Sequence, residues 1–555
     1  MLLSGADIIV RTLIEQGCDV VFGYPGGQII NVYDSLYKYS DELRHILTAH
    51  EQGASHAADG YARATGKPGV VIATSGPGAT NLVTGIATAY IDSVPLVAIT
   101  GNVPSSQIGT DSFQEIDITG VTLPITKHNF FVGDVNDLAD TIREAFRLAV
   151  SGRPGPVLVD VPKDVQIAKC EYSPEEPLKP DEKFAAKDIR IQQAAECINK
   201  AERPFIYFGG GLISANAQEE MLALAEKIDA PVGCSFMGLS AVPTDHPRFL
   251  GMQGMHGHYA SSMAMHKADC IISLGARFND RVTGNRAKFA TKANIVHIDI
   301  DGAELSKTVN ASHGLRGDVK LTLQKLLPLL DKKNNTEWQK TVEQLKKDEL
   351  STLDNREGMT PRNALLALNR YLGSNTPVAT DVGQHQMWTA QTVNFKNSRR
   401  FISSGGLGTM GFGMGAAIGA QVATGEHAVL VTGDGSFGMN LNELATAVTN
   451  KIPLVILMLN NGVLGMVRQW QTLFFDKHYS NTVLDRQTDY VALAKAFGAD
   501  GVTAATPEEL DAALAKAFST EGPFLINCII DKDEFVLPML PPGGSMDDII
   551  VKAGD

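Results

Sequence analysis

The sequence predicts an α/β protein built from three doubly wound parallel-sheet domains, and three observations lead to this prediction. Short apolar runs that end at glycine alternate with helix-like segments along the chain, which is the pattern of repeated βαβ units. The 555 residues exceed what one hydrophobic core supports. Finally, residues 87–97 (ATAYIDSVPLV) match residues 445–455 (ATAVTNKIPLV), which indicates that one fold occurs twice.

Two polar connectors divide the chain into three blocks. Residues 171–189 are rich in Pro, Glu and Lys, and residues 331–360 contain a charged helix-like stretch, EWQKTVEQLKKDEL. Both segments read as linkers because such residues break the apolar periodicity of packed elements. We therefore expect a first domain over 1–170, a central domain over 190–330, a third domain over 360–535 and a C-terminal tail over 536–555.

Composition and charge disfavour several classes of protein. The net charge of −14 disfavours nucleic acid or an anionic membrane as the main partner. The six cysteines form no C-x-x-C pair, so neither a zinc site nor a disulfide framework is expected, and a reducing cytoplasm is the default location. The N-terminus does not read as a signal peptide, since Ser4 is a good cap for a helix that ends near Gly17.

In the first block, Glu51 is the carboxylate with the most informative position. It follows a strand-like run, Arg44–Ala49, and opens a helix that runs to about Ala64. A residue in that position lies at the carboxyl edge of a parallel sheet, where ligands bind. The local sequence is equally compatible with a Glu that only stabilises the first turn through the helix dipole.

The central block shows strands that end at glycines. Pro204–Phe208 precedes Gly209, Gly210 and Gly211, and Cys270–Leu274 precedes Gly275, while Asn294–Ile300 forms a further apolar run. A glycine directly after a strand is compatible with nucleotide binding, but this pattern is common in α/β domains of many functions.

The third block contains the clearest chemistry. Residues 427–432 and 453–459 read as buried parallel strands on either side of a helix over 441–450. Asp434 and Asn461 each follow one of these strands, so their side chains are expected at the same sheet edge. Two side-chain oxygens suit Mg²⁺, which completes its shell with water and substrate phosphates. A bare Gly-Asp-Gly is often only a turn, but the Asn pair at this spacing favours the ligand interpretation.

The uncharged run Phe401–Gly425 needs separate consideration. Its glycines at 411, 415 and 419 have the spacing of a membrane helix-packing motif, but its Ser, Thr and Gln content is too polar for a bilayer span. A tightly packed helix of a soluble protein is the better interpretation. The G-x-G-x-x-G at 406–411 is a weak dinucleotide signal, because no acidic residue follows a second strand at the required distance.

The repeat also aligns two glycine-rich turns. Residues 74–78 (TSGPG) lie in register with residues 432–436 (TGDGS), so Gly76 stands where the third block has Asp434. If the repeat is real, the first block lacks the metal carboxylate and is free to bind another part of the same cofactor. The alternative is that similar βαβ units share these residues by chance.

The GDG segment followed by Asn460 and Asn461 resembles the cofactor motif of the thiamine-diphosphate-dependent enzymes. The resemblance implies that Mg²⁺ is bound by Asp434, the side chain of Asn461 and the backbone carbonyl of Val463. It also implies that thiamine diphosphate lies between the first domain of one subunit and the third domain of its partner. The segment from His50 to Ala54 resembles the catalytic-glutamate segment of these enzymes.

A narrower resemblance covers almost the whole chain. It rests on residues 23–27 (GYPGG), 74–81 (TSGPGATN), 109–115 (GTDSFQE), 153–164 (RPGPVLVDVPKD), 254–257 (GMHG), 275–284 (GARFNDRVTG) and 459–470 (LNNGVLGMVRQW). These segments resemble the large catalytic subunits of the acetohydroxyacid synthases. Asn279 departs from the family pattern, which more often has Asp, but Asp280 and Arg281 are present. The 275–284 segment resembles the FAD-containing biosynthetic enzymes rather than their flavin-free catabolic relatives.

The resemblance implies a set of site residues. The implied catalytic residues are Glu51, Gly27, Gln114 and Lys163. The implied cofactor-binding residues are Pro25, Glu51, Gly76, Asn81, Gln384, His385, Gly408, Met410, Gly433, Gly435, Ser436, Met466, Arg153, Gly209, Gly210, Gly211, Met255, His256, Gly275, Arg277, Asp280, Asp299 and Asp318. The implied substrate residues are Arg281, Trp470, Met255 and Val467.

The function implied by the resemblance is a carboligation of 2-keto acids. Pyruvate is decarboxylated on thiamine diphosphate and the product is joined to a second pyruvate or to 2-ketobutyrate, the first common step of branched-chain amino acid biosynthesis. FAD is then structural, because the net reaction moves no electrons. A homodimer or homotetramer and a small regulatory subunit are also implied. The alternatives are a pyruvate oxidase-like flavoenzyme, a flavin-free catabolic acetolactate synthase and an inactive homologue, which would be expected to lack Glu51 or Asp434.

Overall fold

The computed structural model describes residues 1–552 and contains three α/β domains, each built on a six-stranded sheet whose neighbouring strands are parallel. The predicted fold class is therefore confirmed. The inner strands read as continuous apolar runs because helices cover both faces of each sheet, whereas strands at the ends of the sheets keep exposed polar residues.

The first domain has the strand order β3-β2-β4-β5-β7-β6, and β1 pairs with β8 in a separate antiparallel ribbon. Its strands are β1 (Leu2–Ser4), β2 (Val20–Gly23), β3 (Arg44–Leu47), β4 (Gly69–Ala73), β5 (Leu96–Asn102), β6 (His128–Phe131), β7 (Pro156–Pro162) and β8 (Lys169–Glu171). Its helices are α1 (Gly5–Glu15), α2 (Ile30–Lys38), α3 (Glu51–Thr65), α4 (Pro77–Asn81), α5 (Val83–Asp92), α6 (Ile118–Thr122), α7 (Leu138–Val150) and α8 (Lys163–Ile167). The Ser4 hydroxyl caps α1 by accepting the N–H of Asp7, as the sequence predicts.

The central domain has the strand order β11-β10-β9-β12-β13-β14. Its strands are β9 (Pro204–Phe208), β10 (Val232–Cys234), β11 (Phe249–Met252), β12 (Cys270–Leu274), β13 (Asn294–Asp299) and β14 (His313–Arg316). Its helices are α9 (Asp188–Lys200), α10 (Gly210–Ala215), α11 (Gln218–Lys227), α12 (Tyr259–Lys267), α13 (Asp280–Thr283) and α14 (Val319–Leu326).

The second predicted connector contains a packed helix, α15 (Thr336–Leu350). Trp338, Val342 and Leu345 are buried in the same apolar cluster as Phe205 of the central sheet. The charged residues of α15 occupy its outer face, and only one side of the helix is buried in the core. The sequence of this stretch therefore looks polar.

The third domain repeats the topology of the first, with the strand order β16-β15-β17-β18-β20-β19. Its strands are β15 (Val378–Thr380), β16 (Phe401–Ile402), β17 (Ala428–Gly433), β18 (Leu454–Asn460), β19 (Asp500–Ala504) and β20 (Phe524–Ile529). Its helices are α16 (Pro361–Asn369), α17 (Gln384–Thr392), α18 (Phe412–Thr424), α19 (Asp434–Phe437), α20 (Glu443–Thr449), α21 (Gly465–Phe474), α22 (Tyr490–Ala496) and α23 (Pro507–Phe518). The repeated segment leads from α5 into β5 in the first domain and from α20 into β18 in the third, so the two copies occupy equivalent places.

Helices α3 and α18 join the first and third domains at very short range. A Cβ added to Gly419 would lie 1.8 Å from the carbonyl oxygen of Ala57, and one added to Gly60 would lie 2.1 Å from that of Ala416. The small residues of α18 therefore serve a helix contact inside the folded chain, as the sequence predicts. No helix within residues 1–552 is long and apolar enough to cross a membrane.

Candidate active site

The carboxyl edge of the third sheet brings the predicted metal residues together. Asp434 starts α19 directly after β17, and Asn461 directly follows β18, which pairs with β17 in parallel. Asp434 is only 3% exposed, and no ion pair within the described chain involves it. Burial raises its pKa to about 6, against opposing hydrogen bonds that include the backbone N–H groups of Gly435 and Asn461. Arg486 attracts this carboxylate without a direct ion pair, and a buried carboxylate that lacks a direct ion pair fits a cation ligand.

The donor set around Asp434 suits a hard cation that also binds phosphate. Asn461 contributes an amide oxygen, which here accepts the N–H of Val463 at 3.2 Å. Within residues 1–552 no group of three or more His, Cys, Asp or Glu side chains could hold a metal. With one carboxylate and neutral oxygens, the site fits Mg²⁺, which takes much of its shell from water and substrate phosphates.

A cradle without side chains adjoins Asp434. A Cβ on Gly433 would lie 2.9 Å from Nδ1 of His385, and one on Gly435 would lie 2.8 Å from the Leu464 side chain. Both positions thus require glycine, because a side chain there would collide with these neighbours. His385 is buried, its Nε2 has no partner within the described chain, and burial lowers its pKa to about 3. This orphaned polar atom fits a bound polar group.

Asp381 organises this edge and was missed by sequence reasoning. It is fully buried and its Oδ1 accepts the N–H groups of Gly411 at 2.8 Å and Gly413 at 3.1 Å. It directly follows β15 in the same way that Asp434 follows β17, and that position was the signal that could have revealed it.

The first domain gathers a second cluster at its own sheet edge. Asn81 donates to Oε2 of Glu51 at 2.9 Å, and Lys163 donates to the carbonyl oxygen of Gly27 at 3.0 Å. Gly76 has a φ of +57°, and a Cβ there would lie 2.9 Å from Cα of Gln114. The residues implied as catalytic therefore lie around the ends of β2, β4 and β7. Gly76 occupies the position in this domain that is equivalent to Asp434 in the third domain.

Glu443 of the third domain reaches into this first-domain cluster. Its carboxylate accepts the backbone N–H of His50 at 3.0 Å and of Ala49 at 3.2 Å, and the hydroxyl of Thr446 at 2.6 Å. Burial raises the pKa of Glu443, and these three donors oppose the rise. No sequence pattern predicted this contact, because it joins residues almost four hundred positions apart.

A cavity of about 890 Å³ lies where the three domains meet. Arg281 stands over the ring of Trp470, with its guanidinium carbon 5.9 Å from the ring centroid, and its Nη1 is 3.5 Å from the sulfur of Met255. The sequence-predicted residues that line the cavity are Arg153, Gly210, Gly211, Met255, His256, Gly275, Arg277, Arg281, Asp299, Asp318, Gly408, Met410, Met466, Val467 and Trp470.

Three family models match the chain. They are the N-terminal thiamine pyrophosphate binding domain over residues 3–121, the central domain over 191–326 and the C-terminal thiamine pyrophosphate binding domain over 381–528 of the thiamine pyrophosphate enzymes. The chain is 46% identical to the acetolactate synthase isozyme 2 large subunit of Escherichia coli, over 99% of this chain and 100% of that protein. It is 44% identical to the acetolactate synthase large subunit of Corynebacterium glutamicum, over 99% of this chain and 90% of that protein.

The chain belongs to the acetolactate synthase large subunits. It shares 45% identity with the probable member from Methanocaldococcus jannaschii, over 99% of this chain and 95% of that protein. Within this family of thiamine-dependent carboligases, the two sheet-edge clusters lie in the two domains that the family models describe as binding thiamine pyrophosphate.

Several sequence-predicted residues lie away from the large cavity. The Asp280 side chain is 83% exposed and is not part of the cavity lining. Gly209 packs instead against the backbone of Gly275, since a Cβ there would lie 2.5 Å from the carbonyl oxygen. The sheet-edge residues of the two thiamine-binding domains are also outside its lining: Pro25, Gly27, Glu51, Gly76, Asn81, Gln114, Lys163, Gln384, His385, Gly433, Asp434, Gly435, Ser436, Asn461 and Val463.

Proposed function

We propose that this acetolactate synthase uses Mg²⁺ and FAD beside thiamine diphosphate, and that it joins pyruvate to a second 2-keto acid, either pyruvate or 2-ketobutyrate. The observation that supports this proposal most directly is the pair of sheet-edge clusters, one around Glu51 and the other around the buried carboxylate of Asp434, which makes no direct ion pair within the described chain. When bound, thiamine diphosphate supplies a carbon nucleophile for the keto carbon and an electron sink for loss of CO₂.

The first-domain residues control protons and the substrate oxyanion. Asn81 holds Oε2 of Glu51, so Oε1 is the oxygen that is free to exchange a proton with the cofactor. Lys163 fixes the Gly27 peptide through its carbonyl oxygen, which orients the neighbouring backbone donors toward a developing negative charge. Gln114 lies directly beside Gly76.

The third-domain residues would hold the metal and the diphosphate. Asp434, Asn461 and the carbonyl of Val463 are the proposed Mg²⁺ ligands. Gly433, Gly435 and Ser436 offer backbone N–H groups at the start of α19, and His385 stands behind them. The pKa of Asp434 at about 6 keeps the carboxylate ionised at neutral pH, which a metal ligand requires.

The large cavity would hold FAD and the second keto acid. Arg153 from the first domain, together with Arg277 and the glycines at 210, 211 and 275 from the central domain, fits a dinucleotide with phosphates. Arg281 carries a guanidinium that can bind a carboxylate in a bidentate manner, and Trp470 beside it provides an apolar wall. We assign the acceptor keto acid to this end of the cavity and give the flavin a structural role.

A complete active site requires two copies of the chain in this proposal. As the family resemblance implies, the cofactor would be shared between Glu51 of one subunit and the third domain of its partner, in a homodimer or homotetramer. Because the relatives are named large subunits, we also propose a small regulatory partner. The six free cysteines fit the cytoplasmic location that we propose.

The test is a reconstitution with purified chain, pyruvate, Mg²⁺, thiamine diphosphate and FAD. We expect a yellow protein that forms acetolactate, and no activity when thiamine diphosphate or Mg²⁺ is withheld. Bleaching of the flavin by pyruvate without oxygen would instead identify an oxidase. Acetolactate formation by a colourless protein would remove FAD from the proposal.

A further inference from the structure

A buried cluster of three charged residues lies in the first domain beside its contact with the third. Arg63 donates Nη2 to Asp92 at 3.0 Å and also binds Asp59, which precedes it by one turn of α3. The side chains of Asp59 and Asp92 are 0% exposed and that of Arg63 is 8% exposed. Burying three charged side chains costs desolvation free energy. We therefore ask which other groups these side chains bind.

The other hydrogen bonds of these side chains all reach one segment of the third domain. Asp92 accepts the N–H of Gly406 on Oδ1 at 2.8 Å and the N–H of Gly405 on Oδ2 at 3.0 Å. Arg63 donates Nη1 to the carbonyl oxygen of Ser403 at 2.9 Å. The triad therefore binds the backbone of Ser403, Gly405 and Gly406, which lie within four consecutive positions of another domain.

The bound segment, residues 403–411, is hereafter called the cofactor strip. It contains no regular helix or strand between β16 and α18 apart from its final turn, so its own backbone hydrogen bonds do not define its shape. It lines the large cavity through Ser404, Gly405, Gly406, Gly408 and Met410.

The fit between the strip and the triad is close. A Cβ on Gly406 would lie 2.8 Å from Oδ1 of Asp92, so the carboxylate is in direct contact with the strip backbone. Two consecutive N–H groups on one carboxylate fix both the position and the tilt of that peptide, as charge-assisted hydrogen bonds do. A second anchor follows, because the hydroxyls of Thr88 and Thr409 lie 2.7 Å apart in a buried contact.

We propose that Asp92, held by Arg63, is a positioning residue that shapes the cofactor strip for binding of FAD and thiamine diphosphate. This inference rests on the proposed function, because it takes the cavity beside the strip as the flavin site. Asp92 contacts the strip backbone and acts through Gly405 and Gly406. Asp59 and Arg63 of the same triad belong to α3, whose first residue is Glu51.

The matched control is a second buried carboxylate with an arginine partner in the same domain. Glu15 receives Nε of Arg143 at 2.8 Å and Nη2 at 2.9 Å, and both side chains are buried, at 6% and 4% exposure. This pair packs α1 against α7 and makes no contact with the cofactor strip. Asp92→Asn and Glu15→Gln therefore remove equivalent charges, but only the first releases the strip.

The experiment titrates the full-length chain and both variants with FAD, by flavin fluorescence, and with thiamine diphosphate plus Mg²⁺, by protein fluorescence. We expect Asp92→Asn to weaken FAD binding by roughly 10- to 100-fold, the range seen when a residue that orients metal ligands is lost. Glu15→Gln is expected to bind both cofactors as the wild type does. If Asp92→Asn does not fold, Arg63→Lys, which keeps the charge but loses the bond to Ser403, is expected to weaken FAD binding in the same direction.

The outcomes separate this inference from the proposed function. A wild-type chain that binds neither cofactor would overturn the proposed function and the positioning role together. Wild-type binding with unchanged affinities in Asp92→Asn, or in Arg63→Lys where that variant is the one measured, would overturn the positioning role alone. Equal losses in Asp92→Asn and Glu15→Gln would also overturn it, because the effect would then reflect general stability.

Discussion

Replacing Glu443 with Gln tests how the third domain controls Glu51. The Glu443 carboxylate accepts the N–H groups of Ala49 and His50, which directly precede Glu51 in the chain. Gln has nearly the same shape but only one acceptor oxygen, so its amide NH₂ must face one of the two backbone donors. The substitution therefore removes one hydrogen bond to a charged acceptor without creating a cavity.

The structure gives a magnitude for this change. A hydrogen bond to a charged group contributes about 1.5–3 kcal/mol, and about 1.4 kcal/mol corresponds to a factor of ten in an equilibrium or rate. If this energy holds the start of α3 in its functional position, turnover should fall by roughly 10- to 150-fold. The affinity for thiamine diphosphate should change little, because Glu443 contacts neither Asp434 nor Asn461 among its hydrogen-bond partners.

The assay combines turnover at saturating cofactor with the rate of hydrogen–deuterium exchange at C2 of bound thiamine. Both rates should fall together in Glu443→Gln. Glu509→Gln is the control, since Glu509 also accepts two backbone N–H groups, from Ala505 at 2.8 Å and Thr506 at 3.2 Å, at a remote helix start. Wild-type exchange in Glu443→Gln, or the same loss in both variants, would refute the reasoning.

Four further predictions concern single residues. Glu51→Gln should slow C2 exchange by about 10²–10⁴-fold, as loss of a general acid–base group does, while cofactor binding persists; near-normal exchange would contradict its role. Asp434→Ala should sharply raise the thiamine diphosphate concentration needed for activity, and an unchanged titration would leave Asp434 as a turn residue. Trp470→Leu should lower the ratio of acetohydroxybutyrate to acetolactate when both acceptors compete, because packing of one methylene contributes about 1–3 kcal/mol; an unaltered ratio would remove Trp470 from the acceptor site. Burial raises the pKa of Asp160 to about 7, against 3.8 when exposed, so between pH 3.8 and about 7 the folded chain binds a proton that the unfolded chain does not. The free energy of unfolding should therefore fall as pH rises through this range, by about 1.4 kcal/mol per pH unit. Asp160→Asn should lose this pH dependence, and a variant that keeps it would show that another group titrates.

Local pattern was sufficient for the fold class and for the position of Asp434 at the edge of the third sheet. The strands around Asp434 were predictable because a strand buried on both faces must be apolar throughout, and the residue after it must then lie at the ligand-binding edge. The repeat between the first and third domains was detectable in the sequence because both copies contain such a buried apolar strand. By contrast, the helix α15 was read as part of a connector, since a single buried stripe is hidden among many charges.

The sequence by itself therefore determined the sheets, their edges and the residue types available there, because these depend on periodicity and on neighbours in the chain. Only the tertiary structure decided which edges and helices meet. Asp92 was part of the repeated segment, but its bonds to Gly405 and Gly406 join positions more than three hundred residues apart. No local propensity encodes such a contact, since it arises from the packing of α3 against α18, where glycines allow two domains to approach within backbone contact.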